Sequence, residues 1–134
     1  KKIMSALTHD PMLGHITTFG GNPVCCASAL ATLNVIEEEK LLDQVERKGK
    51  LIESLLQHSG IREIRRIGLL FAIDFDSADR VQKIVQEAIE NGVICFWFLS
   101  CPDSFRIAPP LTISDKEIAI ACNVIKKAID KAYV

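Results

Sequence analysis

Gly14-His15-Ile16-Thr17-Thr18-Phe19-Gly20-Gly21-Asn22-Pro23 runs directly into a long series of Ala, Leu, Cys and Val residues. Asn22 is a strong helix N-cap, because its side-chain oxygen can accept from an orphan amide of the first turn. Pro23 suits the first helical position, where an N–H has no partner to lose. Gly20 and Gly21 let the backbone come close to a ligand or to another chain. Amides at the helix start, the positive end of the helix and the hydroxyls of Thr17 and Thr18 together read as an anion or phosphate cradle. The same residues also read as a plain glycine-rich turn feeding a capped helix, and the stretch alone leaves both readings open.

The helix that follows is predicted over Pro23 to Glu39. Cys26, Leu30, Leu33 and Ile36 form one stripe, and Ala27, Ala31 and Val35 a second. A helix apolar on two sides is covered from two directions or joins two bodies, so it reads as a connector. On its N-terminal side, His9-Asp10-Pro11 is turn chemistry. Lys1 to Leu7 carries no cap and no complete apolar period, and reads as the tail of an element already under way.

On its C-terminal side the spacing predicts a helix from Leu41 to His58, with Leu42, Val45, Ile52, Leu55 and Leu56 inward. Glu46, Lys48, Lys50, Glu53 and Gln57 are expected on a solvated face, and Ser59-Gly60 as the stop. Strands are expected over Ile61–Ile67 and Leu69–Phe75, separated by Gly68; the second alternates with period two. A helix with Val81, Ile84, Val85, Ala88 and Ile89 inward ends at Asn91-Gly92. Val93 to Leu99 is rich in β-branched and aromatic residues and is expected to be a strand. After the Cys101–Ser104 turn, Phe105–Ala108 returns, with Arg106 and Ala108 opposite Phe105 and Ile107. Ser114 and Glu117 form a capping box and Ile113 with Ile118 a hydrophobic staple for the last helix. The expected fold class is α+β, a mainly antiparallel sheet covered by helices and preceded by the connecting helix.

Composition narrows the function. A chain of 134 residues can hold one modest core. Sixteen basic against 17 acidic residues leave a net charge of -1, with no basic surplus for nucleic acid or an anionic membrane surface. No segment has the unbroken apolar length of a membrane span, and Lys1-Lys2 does not open a signal peptide. Cys25, Cys26, Cys95, Cys101 and Cys122 form no CxxC pair and are expected as small buried hydrophobes in a reducing cytoplasm. His9, His15 and His58 lack metal-ligand spacing, so no metal site is expected.

Arg106 is the most informative charge, lying in Phe-Arg-Ile-Ala-Pro-Pro-Leu. Held on a strand before a rigid Pro-Pro step, it offers a fixed fork for a carboxylate or phosphate, or else forms a structural ion pair. Arg65 and Arg66 read as a charged edge, and Asp74 and Asp76 as turn and cap residues. No Gly-x-Ser-x-Gly elbow, HExxH or Walker lysine is present.

Thr18-Phe19-Gly20-Gly21-Asn22-Pro23 and the small-residue helix after it resemble a segment of the class III pyridoxal-phosphate-dependent aminotransferases. These include the acetylornithine and ornithine aminotransferases, which carry the segment after their cofactor lysine. The resemblance continues in order over nearly the whole chain. Arg65-Arg66-Ile67-Gly68-Leu69 is similar to the family's Arg-Gly-x-Gly-Leu turn, although Arg66 stands where glycine is usual. Gly92-Val93 follows a helix as in the family. Arg106 to Ile113 is similar to Arg-x-x-Pro-Pro-Leu-x-Ile, and Ser114 to Ile118 to an acidic start of the last helix.

The resemblance implies a type I aminotransferase fold. Residues 1–22 would be the end of the large cofactor domain, 23–39 the connecting helix and 40–134 the small C-terminal domain. It implies a homodimer in which the Thr18 loop reaches across the interface. Thr18, beside Thr17 and Phe19, then binds the phosphate of the partner subunit's pyridoxal 5'-phosphate, and Arg106 serves the substrate carboxylate or a local ion pair. The substrates implied are a small amino acid or amine and a 2-oxo acid; transaminase, aminomutase and decarboxylase chemistries all stay open. The Schiff-base lysine and the pyridine-pairing aspartate are expected upstream of Lys1, so this chain carries no catalytic residue and is expected to be inactive alone. The competing reading is a free-standing α+β module that binds a ligand or protein through the Gly-Gly loop, and the two-sided apolar helix weighs against it.

Overall fold

The computed structural model describes Ser5, Thr17, Thr18 and residues 20–134. Phe19, the His9-Asp10-Pro11 turn and the rest of Lys1–Leu7 lie outside the described residues. The chain divides into two units, Lys1–Glu39 and Lys40–Val134. In the first, helix α1 spans Pro23–Glu38 and starts as Asn22 and Pro23 require. Asn22 Oδ1 accepts from the amides of Val24 at 3.0 Å and Cys25 at 3.3 Å. No residue of α1 is buried, and both apolar stripes stay open at Leu30, Leu33 and Val35.

In the second unit Lys40 adopts a left-handed conformation, φ 50°, and a 3₁₀ turn over Leu41–Gln44 leads into α2, Val45–Leu55. The predicted single helix from Leu41 is therefore split, its first turn tightened by the Asp43 amide donating to the Lys40 carbonyl. It also stops before His58. That ring folds back, Nδ1 accepting from the Gly60 amide at 2.9 Å and Nε2 lying 2.9 Å from Asp130.

The order then runs β1 (Glu63–Ile67), β2 (Leu70–Asp74), α3 (Ala78–Glu90), β3 (Phe96–Trp97), β4 (Ser104–Ile107) and α4 (Asp115–Ala132). Among the described residues the strands form one antiparallel sheet in the order β1-β2-β4-β3. Strand alternation sends Phe71, Ile73 and Phe105 to one face. There they meet Ile52 of α2 and Leu56 just after it, Val81, Ile84 and Val85 of α3, and Ile118, Cys122, Ile125 and Ile129 of α4 in a single core. Phe75 stacks on Phe105 with ring centroids 5.5 Å apart. The capping box of Ser114 and Glu117 is present at the start of α4.

Strand β3 is much shorter than the expected Val93–Leu99. Val93 and Gly92 are used to close α3: their amides donate to Ala88 at 2.9 Å and Ile89 at 3.0 Å, with Gly92 at φ 86°. This is a Schellman stop, and it draws Val93 away from the ladder. Phe96 and Trp97 then pair with Arg106 and Phe105, and beyond them the Phe98 amide donates to the Ser104 carbonyl at 3.2 Å.

Asp74 departs from its expected turn role. It ends β2 but is buried, accepting from Arg65 Nη2 at 2.7 Å and from Ser104 Oγ at 2.6 Å. The cap of α3 is instead Ser77, while Asp76 pairs with Arg80. Burial pushes the Asp74 carboxyl up, but hydrogen bonds from Arg65 and Ser104 and the charges of Arg65 and Arg62 outweigh it, leaving it below the ordinary 3.8. A depressed carboxyl stabilises the fold above its unfolded value and loses that contribution as pH falls through its folded value. The stability advantage of the wild type over Asp74→Asn is thus expected to be full at neutral pH. It should shrink only below pH 3.8, as urea unfolding across pH would register; an advantage unchanged down to acid would refute the assignment.

Candidate functional site

Thr17 and Thr18 stand exposed in the turn before α1. The Gly20 amide closes this turn on the Thr17 carbonyl at 3.2 Å. A Cβ on Gly20 would lie 2.5 Å from Thr17 Oγ1, and Gly21 sits at φ 76° with open space where its Cβ would be. Gly20 thus makes room for the Thr17 hydroxyl packed against it and Gly21 faces open space, next to two hydroxyls and a capped helix start. A phosphate group fits that chemistry. Phe19, expected here as well, lies outside the described residues.

Arg106 belongs to the second unit. On the sheet face away from the helices it lies in a row with Arg65, Ala72 and Phe96, by direct cross-strand pairing. Arg65 is taken up by Asp74 and Glu63. Arg106 has no acid within ion-pair distance among the described residues; its guanidinium carbon lies 5.7 Å from the centre of the Phe96 ring. Of its two expected roles, the structural ion pair is therefore absent among the described residues. It borders a groove of about 780 Å³ whose wall is mostly apolar, with Leu70, Ile94, Phe96, Ile113 and Ile120, and which also includes Glu117, its carboxylate held by Ser114. An unpaired fork at the edge of an apolar groove can take a carboxylate.

Behind this face the charged stripe of α2, expected in solvent, does structural work. Arg66 donates from Nε to Glu53 at 2.7 Å and from both terminal nitrogens to Glu46 at 3.0 Å, and those bonds raise its pKa. Gly49 makes room for it: a Cβ there would meet Arg66 Nη1 at 2.8 Å and the Gly68 carbonyl at 2.9 Å. Lys48 is buried and donates to the Leu111 carbonyl at 2.8 Å. A glycine inside an otherwise regular helix was the signal in the sequence for this close approach.

The family model of aminotransferase class-III matches residues 1–129. The chain belongs to this family. Among solved structures, an aminotransferase of Bacillus anthracis is 30% identical with a TM-score of 0.81, over 98% of this chain and 34% of that one. The ornithine aminotransferase of Toxoplasma gondii is 33% identical with a TM-score of 0.79, over 99% and 32%. A thermostable omega transaminase from Pseudomonas jessenii is 27% identical with a TM-score of 0.79, over 98% and 31%. The chain spans about a third of the length of these class III relatives. Its fold is that of a small domain from the type I aminotransferase fold, and the class III family to which it belongs depends on pyridoxal 5'-phosphate.

The cysteines divide by position. Cys95 and Cys122 are core residues whose thiols burial pushes up to about 11, as expected of small hydrophobes. Cys25 and Cys26 are exposed on α1, and Cys101 is half-buried with Sγ 3.2 Å from Asp103 and Ser104. Among the described residues no group of three His, Cys, Asp or Glu could hold a metal ion, and no helix is long and apolar enough to cross a membrane.

Proposed function

We propose that the chain is the C-terminal part of a pyridoxal-phosphate-dependent aminotransferase, active as a homodimer, that moves an amino group between an amino acid or amine and a 2-oxo acid. The observation that carries this reading is the exposed Thr17-Thr18 turn, closed at Gly20, at the capped start of α1. Pyridoxal 5'-phosphate, when bound, supplies the electron sink for a carbanion beside the substrate amine. Thr18 donates its hydroxyl to the phosphate of the partner subunit's cofactor, with Thr17 and Phe19 beside it, and so holds the ring in alignment. Arg106 receives the substrate carboxylate.

Residues 1–22 belong to the end of the cofactor domain, 23–39 to the connector and 40–134 to the small domain. The open stripes of α1 support this division over a free-standing module, since apolar surface of that extent calls for cover. The lysine that holds the cofactor comes from outside this chain, which is inactive alone, and the unbridged cysteines suit a cytoplasmic setting.

In the complete enzyme, Thr18→Ala removes a hydrogen bond to a charged group, worth about 1.5–3 kcal/mol. Cofactor affinity, measured by spectroscopic titration of the apoenzyme, is expected to fall about 10- to 100-fold, with a smaller change in kcat on saturated enzyme. Unchanged affinity would overturn the assignment of Thr18.

A further inference from the structure

Lys48 lies on the stripe of α2 where solvent was expected, yet it is 8% exposed and its Nζ donates to the carbonyl of Leu111. The ammonium also lies in electrostatic reach of Asp115 and Glu117, whose carboxyls it helps to hold down, while its hydrogen bond goes to that carbonyl. That bond gives Lys48 a location. Its neighbour Arg47 grips Asp115 through two bonds, 2.8 and 2.9 Å. Consecutive residues of α2 therefore hold the stretch from Leu111 to Asp115 at both ends.

That stretch is the continuation of Arg106. Pro109 and Pro110 each fix their own φ and hold the preceding residue extended, so Arg106 to Leu111 is a stiff strut. The Ile113 amide closes the far end on the Pro110 carbonyl at 3.0 Å. Arg106 itself has no acid to hold it among the described residues; Ala72 and Phe96 flank it in the sheet, and the Pro-Pro strut carries its strand on to Leu111.

We infer that Lys48 is a positioning residue for Arg106, fixing the carboxylate subsite through Leu111 and the Pro-Pro strut. This rests on the reading of Arg106 as the carboxylate site. It requires that loss of the Lys48 ammonium weaken recognition of the carboxylate selectively, where a merely structural role would lower all activity alike.

The test uses the complete enzyme and a donor pair differing in the carboxylate, alanine against isopropylamine, with glutarate binding by titration calorimetry as a readout free of turnover. Lys48→Met is expected to raise the KM of alanine roughly tenfold more than that of isopropylamine, part of the ~100-fold that a displacement of about 1 Å costs. Glutarate binding should weaken in parallel, and Lys48→Arg should recover part of both. Pro110→Ala, at an exposed position, loosens the strut without touching Lys48 and should reproduce the same selective loss should Lys48→Met fail to fold. Arg106→Gln separates the two ideas. If it abolishes the preference for the carboxylate while Lys48→Met and Pro110→Ala keep it, the inference about Lys48 is wrong and Arg106 stands. If Arg106→Gln is as selective as wild type, the Arg106 reading fails and Lys48 loses its role with it.

Discussion

Arg106→Gln in the complete enzyme is expected to lower kcat/KM for a carboxylate-bearing donor by about 10- to 100-fold, from the roughly 1.5–3 kcal/mol that a hydrogen bond to a charged group contributes. The size follows from the surroundings. Arg65, its neighbour across Ala72, is neutralised by Asp74 and Glu63, whereas Arg106 is opposed by no carboxylate among the described residues. An incoming carboxylate therefore displaces no internal partner. The Phe96 ring, its centre 5.7 Å from the guanidinium carbon, gives one side of the fork an aromatic neighbour. Glutamine keeps a donor but neither the charge nor the two-pronged geometry, and Arg106→Lys, keeping charge alone, should recover only part. Because Arg106 is exposed, the thermal midpoint should barely move. A Gln variant that loses donors with and without a carboxylate equally would refute the role.

Phe105→Ala is expected to be the most damaging single change to the fold, costing about 3–5 kcal/mol. Phe105 is fully buried in β4, paired with Ile73 on one side and Trp97 on the other, and stacked on Phe75. The cavity opens where sheet and helices meet, and rigid strands on both sides limit its collapse. Against a total stability of about 5–15 kcal/mol for a typical domain, this is a large fraction. Urea unfolding should show the midpoint collapse, and Phe105→Leu should cost far less by keeping most of the volume. A loss under about 1 kcal/mol would mean that the core closes over the gap and that the stack contributes little.

Much of this was legible in the residues. Asn22-Pro23, Asn91-Gly92 and Ser114 with Glu117 each carry their own termination chemistry, and the helices begin and end there. The alternation of Phe71, Ile73 and Phe75 gave the inner face of the sheet. What stayed hidden depended on pairing between distant segments. The length of β3 is set by how many residues α3 uses for its stop, which composition does not reveal. Lys48, Glu46 and Glu53 look like any charged helical stripe until Leu111 and Arg66 are brought against them. Asp74 reads as a turn residue until Ser104, thirty positions on, supplies its hydroxyl. For the site, motif order indicated Arg106 as a ligand arm or an ion pair, and the fold adds that no acid among the described residues pairs with it.

The close packing at Gly49 couples sequence change at two positions unequally. A Cβ at position 49 would meet the Arg66 guanidinium at 2.8 Å and the Gly68 carbonyl at 2.9 Å. The guanidinium is the tip of a flexible side chain and can swing aside at the expense of its bonds to Glu46 and Glu53, whereas the carbonyl is backbone and has nowhere to go. Arg66 can therefore be given up while Gly49 stays, leaving Glu46 and Glu53 to water, but giving up Arg66 does not free residue 49 to take a side chain. Drift at the pair runs through residue 66 alone.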